Sequence, residues 1–139
     1  MALRMNPYII TNGNGMEAIE FYKEALGAQV LFVQKFEEMP GYDIPEAAKG
    51  RVSHALLKAG ETELMISDTF PGSPYQIGNQ VAVCIMTDDA AEARRIFDAL
   101  QSGGRVDMPL QETFWSPAYG IVTDKFGVSF NISTEKAQG

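Results

Sequence analysis

Apolar residues return along this chain with two different periods, and the switches between them mark out its elements. Met16, Ile19, Tyr22 and Leu26 recur at near-helical spacing with Phe21 beside them, which predicts a first helix. Asn14 followed by Glu17 reads as an N-cap with a reciprocal glutamate. Gly27 is placed to end that helix in the left-handed conformation. A second helix is predicted from about Ala90 to Gln101, with Ala93, Phe97 and Leu100 on one face. Asp89 and Glu92 repeat the capping pattern, and Gly103-Gly104 stop the helix. Elsewhere the pattern shortens to strand-like runs. These are Pro7–Thr11, Val30–Phe36, Ser53–Ala59 and Thr62–Asp68 in the first half, the last two joined by Gly60-Glu61 as a hairpin turn. In the second half they are Val81–Thr87, Val106–Thr113, Gly120–Thr123 and Val128–Ser133.

The order is therefore β-α-β-β-β written twice, with an offset of roughly 75 residues. The Pro- and Gly-containing stretch at about 70–78 reads as the linker between modules at about 5–69 and 79–134. Glu37–Gly50 is an acidic insertion with two prolines, present only in the first half, and reads either as a surface excursion or as a lid. Four strands cannot close a core alone. The expected fold is α+β: one domain, 1–139, whose two βαβββ modules form a curved eight-stranded mixed sheet with helices outside and a concave polar-aromatic face.

Composition narrows the classes. A net charge of −7 and scattered basic residues exclude a nucleic-acid partner, since neutralising phosphates needs Lys/Arg clusters. The acidity favours a cationic guest over an anionic one. No run of about 18 apolar residues and no leader-like segment is present, so a cytoplasmic protein with no membrane partner is expected. The single cysteine, Cys84, rules out an internal disulfide; lying in the apolar run Val81–Met86, it reads as a small buried hydrophobe.

Candidate chemistry gathers in Gln111–Ile132, where Phe114, Trp115, Tyr119, Phe126 and Phe130 surround a turn at Asp124-Lys125-Phe126-Gly127. Trp115 and Tyr119 can stack a flat ligand or hold a cation. Gln111 and Glu112 alternate on a strand, so one of them faces the cup; Glu112 there is a candidate acid or base. The only histidine, His54, begins the third strand and is the other acid/base candidate, or a ligand-orienting donor. Ser67, on the fourth strand, is a further candidate ligand contact. Asp124 reads as the cap of its turn. Asn12-Gly13-Asn14-Gly15 is the only Gly-rich turn before a helix and reads as a helix entry rather than a nucleotide loop.

The helix Ile19-Glu20-Phe21-Tyr22 through Leu26-Gly27 resembles that of the vicinal oxygen chelate superfamily, which includes glyoxalase, bleomycin-resistance proteins and extradiol dioxygenases. Asn6-Pro7-Tyr8, Asn12-Gly13-Asn14, Met65-Ile66-Ser67-Asp68, Gln111-Glu112-Thr113-Phe114-Trp115 and Tyr119-Gly120 to Gly127 are similar to PhnB-like members, whose domain has also carried the label 3-demethylubiquinone-9 3-methyltransferase. Ser129-Phe130 departs from the family's usual Pro-Trp, keeping an aromatic wall but losing an N–H donor. The resemblance implies paired modules and a homodimer. It also implies metal-ligand positions on the first and last strands of each half, and alignment through the helices places them at Pro7, Met65, Ala82 and Asn131, of which Met65 and Asn131 are candidate ligand contacts. These supply no set of hard donors, so neither metal nor cofactor is expected. Three functions follow: a metal-independent small-molecule binder, an enzyme using His54 or Glu112 on an oxygenated substrate, or a structural or regulatory dimer with a vestigial cup.

Overall fold

A computed structural model describes residues 2–136. The chain divides into two compact units, Met1–Gln76 and Ile77–Gly139. The first contains β1 (Tyr8–Thr11), α1 (Gly15–Leu26), β2 (Gln29–Lys35), β3 (Val52–Ala59) and β4 (Thr62–Asp68), with 3-10 turns at Phe36–Glu38 and Glu46–Ala48. The second contains β5 (Val83–Thr87), α2 (Ala90–Gln101), β6 (Arg105–Gln111), β7 (Tyr119–Thr123) and β8 (Ser129–Thr134). Each unit is thus a βαβββ module. Its sheet runs β1-β4-β3-β2 in the first and β5-β8-β7-β6 in the second. In both, the first strand lies parallel to the last and the other pairings are antiparallel.

One face of each sheet is covered by its helix. In the first unit Ala18, Ile19, Tyr22 and Ala25 of α1 are buried, as are Ile9, Val52, Ala55, Leu57, Leu64 and Ile66 of the sheet. The helix face therefore runs through alanines rather than through Met16 and Leu26, and Met16 stays 39% exposed. Small side chains let the helix sit close to the sheet, a signal that counting only large apolar residues passes over. In the second unit Ala93, Ile96, Phe97 and Leu100 are buried, with Val122, Phe130 and Ile132 beneath. Gly120 makes that packing possible: a Cβ there would lie 2.8 Å from the Phe97 ring and 3.0 Å from the Leu110 backbone.

Helix termini divide the expectations. Gly27 caps α1 in the left-handed region (φ 63°, ψ 33°), and the Asp89 carboxylate accepts from the Ala91 N–H at the start of α2, both as the pattern predicts. Asn14 does not cap α1 with its side chain. Its backbone (φ −109°, ψ 28°) is outside the extended region a capping side chain needs. The Gly15 N–H instead donates to Asp68, which reaches across from the end of β4.

The strands shift by a residue or two from expectation; β5 starts at Val83, leaving Val81 81% exposed. Cys84 corrects the sequence reading outright, because it is exposed. β5 is an edge strand, and the alternation of its side chains puts Cys84 and Met86 on the face that α2 leaves uncovered. The insertion after β2 is tied at its base. The Phe36 N–H donates to the Arg51 carbonyl, Gly50 N–H donates to the Glu37 carboxylate, and Ala48 is fully buried.

Candidate functional site

The uncovered face of the first unit is set by strand register. Tyr8 pairs with Met65, Met65 with Leu56, and Ile10 with Ser67, and paired residues present side chains to the same face. Ala55, Leu57 and Ile66 point to the helix, so His54, Leu56 and Met65 point away from it. The register thus puts His54, Met65 and Ser67 on one face of the first sheet. It adds two residues that the sequence reading does not assign to the site. Tyr8 lies with its phenol oxygen 3.0 Å from His54 Nδ1, its ring 5.7 Å from the imidazole and steeply inclined to it. Phe32 lies on the other side, 6.1 Å from the imidazole. The three rings form a row across the sheet. The signal for Tyr8 was the alternation Tyr8-Ile9-Ile10-Thr11, in which Ile9 and Thr11 are buried while Tyr8 and Ile10 remain 46% and 48% exposed. Ser67 is less available than its position suggests, since its hydroxyl donates to the Ser53 carbonyl at 2.9 Å.

On the second unit, Gln111 pairs with Tyr119, Tyr119 with Ser133, and Asn131 with both Ile121 and Cys84. Phe130 and Ile132 point to α2, so Asn131, Tyr119 and Gln111 share the opposite face with Cys84 and Met86. Of the Gln111–Glu112 pair it is Gln111 that takes this face; Glu112 lies beyond the end of β6 and is exposed. Trp115 sits in the β6–β7 loop with its ring edge-on to both Tyr119 (5.4 Å) and Phe114 (4.8 Å). That loop is fixed from below by Ser116, which is 1% exposed. Its Oγ lies 2.7 Å from the Thr134 carbonyl and 2.9 Å from the Ala118 carbonyl, and accepts from the N–H groups of Ala118 and Thr134. A hydroxyl so placed orders the loop backbone, with Trp115 half exposed and Phe114 largely exposed above it.

The two strand-end aspartates are structural. Asp68 is buried and accepts from Thr11 Oγ1 (2.7 Å) and the backbone N–H groups of Gly13 (2.8 Å), Gly15 (2.9 Å) and Val52 (2.8 Å). Asp124 accepts from Phe126 and Val128 N–H and so caps its turn. Hydrogen bonds also hold several surface carboxylates below their ordinary range: Glu37 through Gly50, Glu92 through Arg95, and Asp107 through the Thr123 hydroxyl and then Arg105. A cleft of about 630 Å³ in the second unit is lined by Ile77, Asn79, Arg105, Lys125 and Ser129 among others, and contains none of the candidate site residues. Arg105 there is engaged with Asp107 at 2.9 Å. Among the described residues no cluster of three or more His, Cys, Asp or Glu could hold a metal ion, and no helix is long and apolar enough to cross a membrane.

Two βαβββ modules, each with a helix on one sheet face and a polar-aromatic surface on the other, define a glyoxalase-like α+β protein. The chain belongs to the Glyoxalase/Bleomycin resistance protein/Dioxygenase superfamily, whose family model matches residues 4–132. It is 33% identical to protein YjdN of Escherichia coli (strain K12), covering 96% of this chain and 97% of that one. The crystal structure of protein PA1353 from Pseudomonas aeruginosa is similar at 36% identity and a TM-score of 0.89, covering 98% of this chain and 100% of that one. A PhnB protein from Bacillus cereus shares the fold, with 22% identity, a TM-score of 0.78 and coverage of 95% and 99%.

Proposed function

We propose that this chain binds a small, flat molecule on an uncovered sheet face of one module and does so without the superfamily's usual metal. The observation that carries this reading is the row Tyr8–His54–Phe32, a polar group held between two rings on the face that α1 leaves uncovered. The Trp115–Tyr119 pair, with Gln111 and Asn131 on the same side of the second sheet, supports it. Aromatic walls with a few placed polar groups are the usual make-up of a small-molecule site. The metal-ligand positions argue against a metal by their chemistry. Pro7 has no donor side chain and its carbonyl is taken by the Met65 N–H; Met65 offers a soft thioether, Ala82 nothing, and Asn131 one neutral carbonyl.

The test uses the only tryptophan as a reporter. A metabolite library is screened by thermal shift and by Trp115 emission. A true ligand at a hundred times its Kd adds about 2.7 kcal/mol of stability, and its effect disappears in His54→Ala for a guest of the first sheet or in Trp115→Ala for a guest of the second. A library that moves neither signal would sink the binding reading and leave a structural role. Stoichiometric divalent metal in protein purified without chelator would sink the metal-free part.

A second reading, an enzyme acting on a small oxygenated substrate, is favoured by the hydrogen bond between Tyr8 and His54, since an oriented imidazole is what acid/base work needs. Turnover that vanishes in His54→Ala with the fold intact would put it first. We further propose a cytoplasmic location and a homodimer, the dimer supported by uncovered Tyr8, Ile10, Met86 and Phe114. Sedimentation at one chain mass would refute the dimer.

A further inference from the structure

We infer that Tyr8 is a positioning residue: it fixes His54 in the tautomer that carries its proton on Nε2, so that the imidazole meets a ligand as a hydrogen-bond donor and not as a base. The inference rests on the proposed ligand surface and says what chemistry that surface offers at its histidine.

The geometry gives one polar partner to one ring nitrogen. Tyr8 Oη lies 3.0 Å from His54 Nδ1. Among the described residues no other hydrogen bond to the imidazole is found, so Nε2 is left to whatever occupies the face. The pair can be joined in two ways. Either the phenol donates to Nδ1, leaving the proton on Nε2, or Nδ1–H donates to the phenol oxygen, leaving a lone pair on Nε2. The first is favoured by intrinsic chemistry. A phenol O–H is a good donor and a poor acceptor, because its oxygen lone pair is drawn into the ring. A neutral imidazole nitrogen is a strong acceptor.

The consequence concerns the ligand. With Nε2 protonated, His54 cannot abstract a proton from a guest; it can donate to an oxygen or nitrogen acceptor. When the imidazole gains a second proton, the phenol rotates to accept from Nδ1 and Nε2 remains a donor. The atom of the ligand seated at His54 is therefore an acceptor, and a net charge of −7 favours a neutral carbonyl over a carboxylate. Phe32, against the other side of the imidazole, suits a flat group bearing that carbonyl.

Because His54 is the chain's only histidine, its ring nitrogens can be read without assignment ambiguity. The experiment is ¹⁵N NMR of the ring in the full chain at about pH 8.5, above the ordinary imidazole range, with no ligand present. The expected result is an Nε2–H to Nδ1–H ratio about fivefold above that of the same chain in denaturant, the worth of one hydrogen bond. Tyr8→Phe, which retains the ring and changes an exposed position, returns the ratio to the denatured value while circular dichroism stays native. Predominant Nδ1–H in the wild type, or a ratio that Tyr8→Phe leaves unmoved, overturns the inference. Neither result depends on a ligand, so this test can fail while the binding reading stands, and the library screen can fail while this one succeeds.

Discussion

Replacing Asp68 should loosen the first module at its helix entry, and the size of the loss can be worked from its contacts. The carboxylate is 3% exposed and accepts from four donors: Thr11 Oγ1, Gly13 N–H and Gly15 N–H at Oδ1, and Val52 N–H at Oδ2. It thereby ties the end of β4 to the end of β1, the first turn of α1 and the start of β3. Hydrogen bonds to a charged group contribute roughly 1.5–3 kcal/mol each. Four bonds to one side chain are not independent, so a plain sum overshoots. Asp68→Ala strands three backbone N–H groups at a site with little room for water; allowing for partial relaxation, the expected loss is about 3–6 kcal/mol. Asp68→Asn can keep one oxygen on the Oδ1 donors, but then turns an amide N–H₂ toward the Val52 N–H. One bond is lost and one donor orphaned, which costs about 1–3 kcal/mol. Urea unfolding gives the totals, and amide hydrogen exchange gives their place. Gly13, Gly15 and Val52 should lose protection first, while Phe126 and Val128, which answer to Asp124 in the other module, serve as controls. An Asp68→Asn protein within about 0.5 kcal/mol of wild type, the range of ordinary surface changes, would refute the reasoning. So would unchanged exchange at those three amides.

Three further outcomes are expected. Gly120→Ala would drive a Cβ into the Phe97 ring and the Leu110 backbone, and should lower stability by about 1–3 kcal/mol or more in thermal unfolding; a neutral result would mean α2 does not pack on β7 as described. Asn14→Ala should cost under about 0.5 kcal/mol while Asp89→Ala costs about 1 kcal/mol, because only Asp89 caps its helix with its side chain; equal losses in denaturant titrations would contradict the capping geometry. Asp107, held below its ordinary range by Thr123 and then Arg105, binds protons less readily in the folded state than in the unfolded chain. Its contribution is present above the ordinary carboxylate pKa and lost as pH falls through the lowered one. Thr123→Val should therefore flatten the acid limb of the stability–pH curve, and an acid limb identical to wild type would count against that bond.

The repeat was legible because both helices carry local punctuation. Gly27 and Asp89 act through groups two to four residues away, so their roles are written in short stretches of chain. Asp68 acts over 53 to 57 positions on Gly15, Gly13 and Thr11. No local pattern encodes that reach, and a capping role was accordingly read onto Asn14, the polar residue nearest the helix. Tyr8 escaped for the same reason, its partner being 46 residues away. Its place on a face, though, could have been read from the period-two alternation of β1. His54, Gln111 and Tyr119 are legible from strand position and Met65 and Asn131 through the family resemblance; register places His54 and Met65 on the face α1 leaves uncovered and the other three on the face α2 leaves uncovered.

Cys84 shows what the apolar runs were signalling. A strand apolar on both sides, such as Val83-Cys84-Ile85-Met86, reads as a strand covered on both sides. The helix of a βαβββ module covers only one. Cys84 and Met86 on β5, and Tyr8 and Ile10 on β1, occupy the other and stay exposed. Burying a side chain of that size is worth about 1.5–3 kcal/mol, so a continuous apolar strand left half uncovered lacks the contact its composition calls for. The burial reading of Cys84 was wrong for the module as it stands, and it erred by supplying a cover that the module's own helix does not provide. That is the physical ground for placing a ligand or a second copy of the chain against these faces. It also makes the thiol a direct probe: Cys84 should react with a thiol reagent in the native protein and be shielded when a saturating ligand or the dimer covers the face. Reactivity indifferent to both would remove these strands from the binding surface.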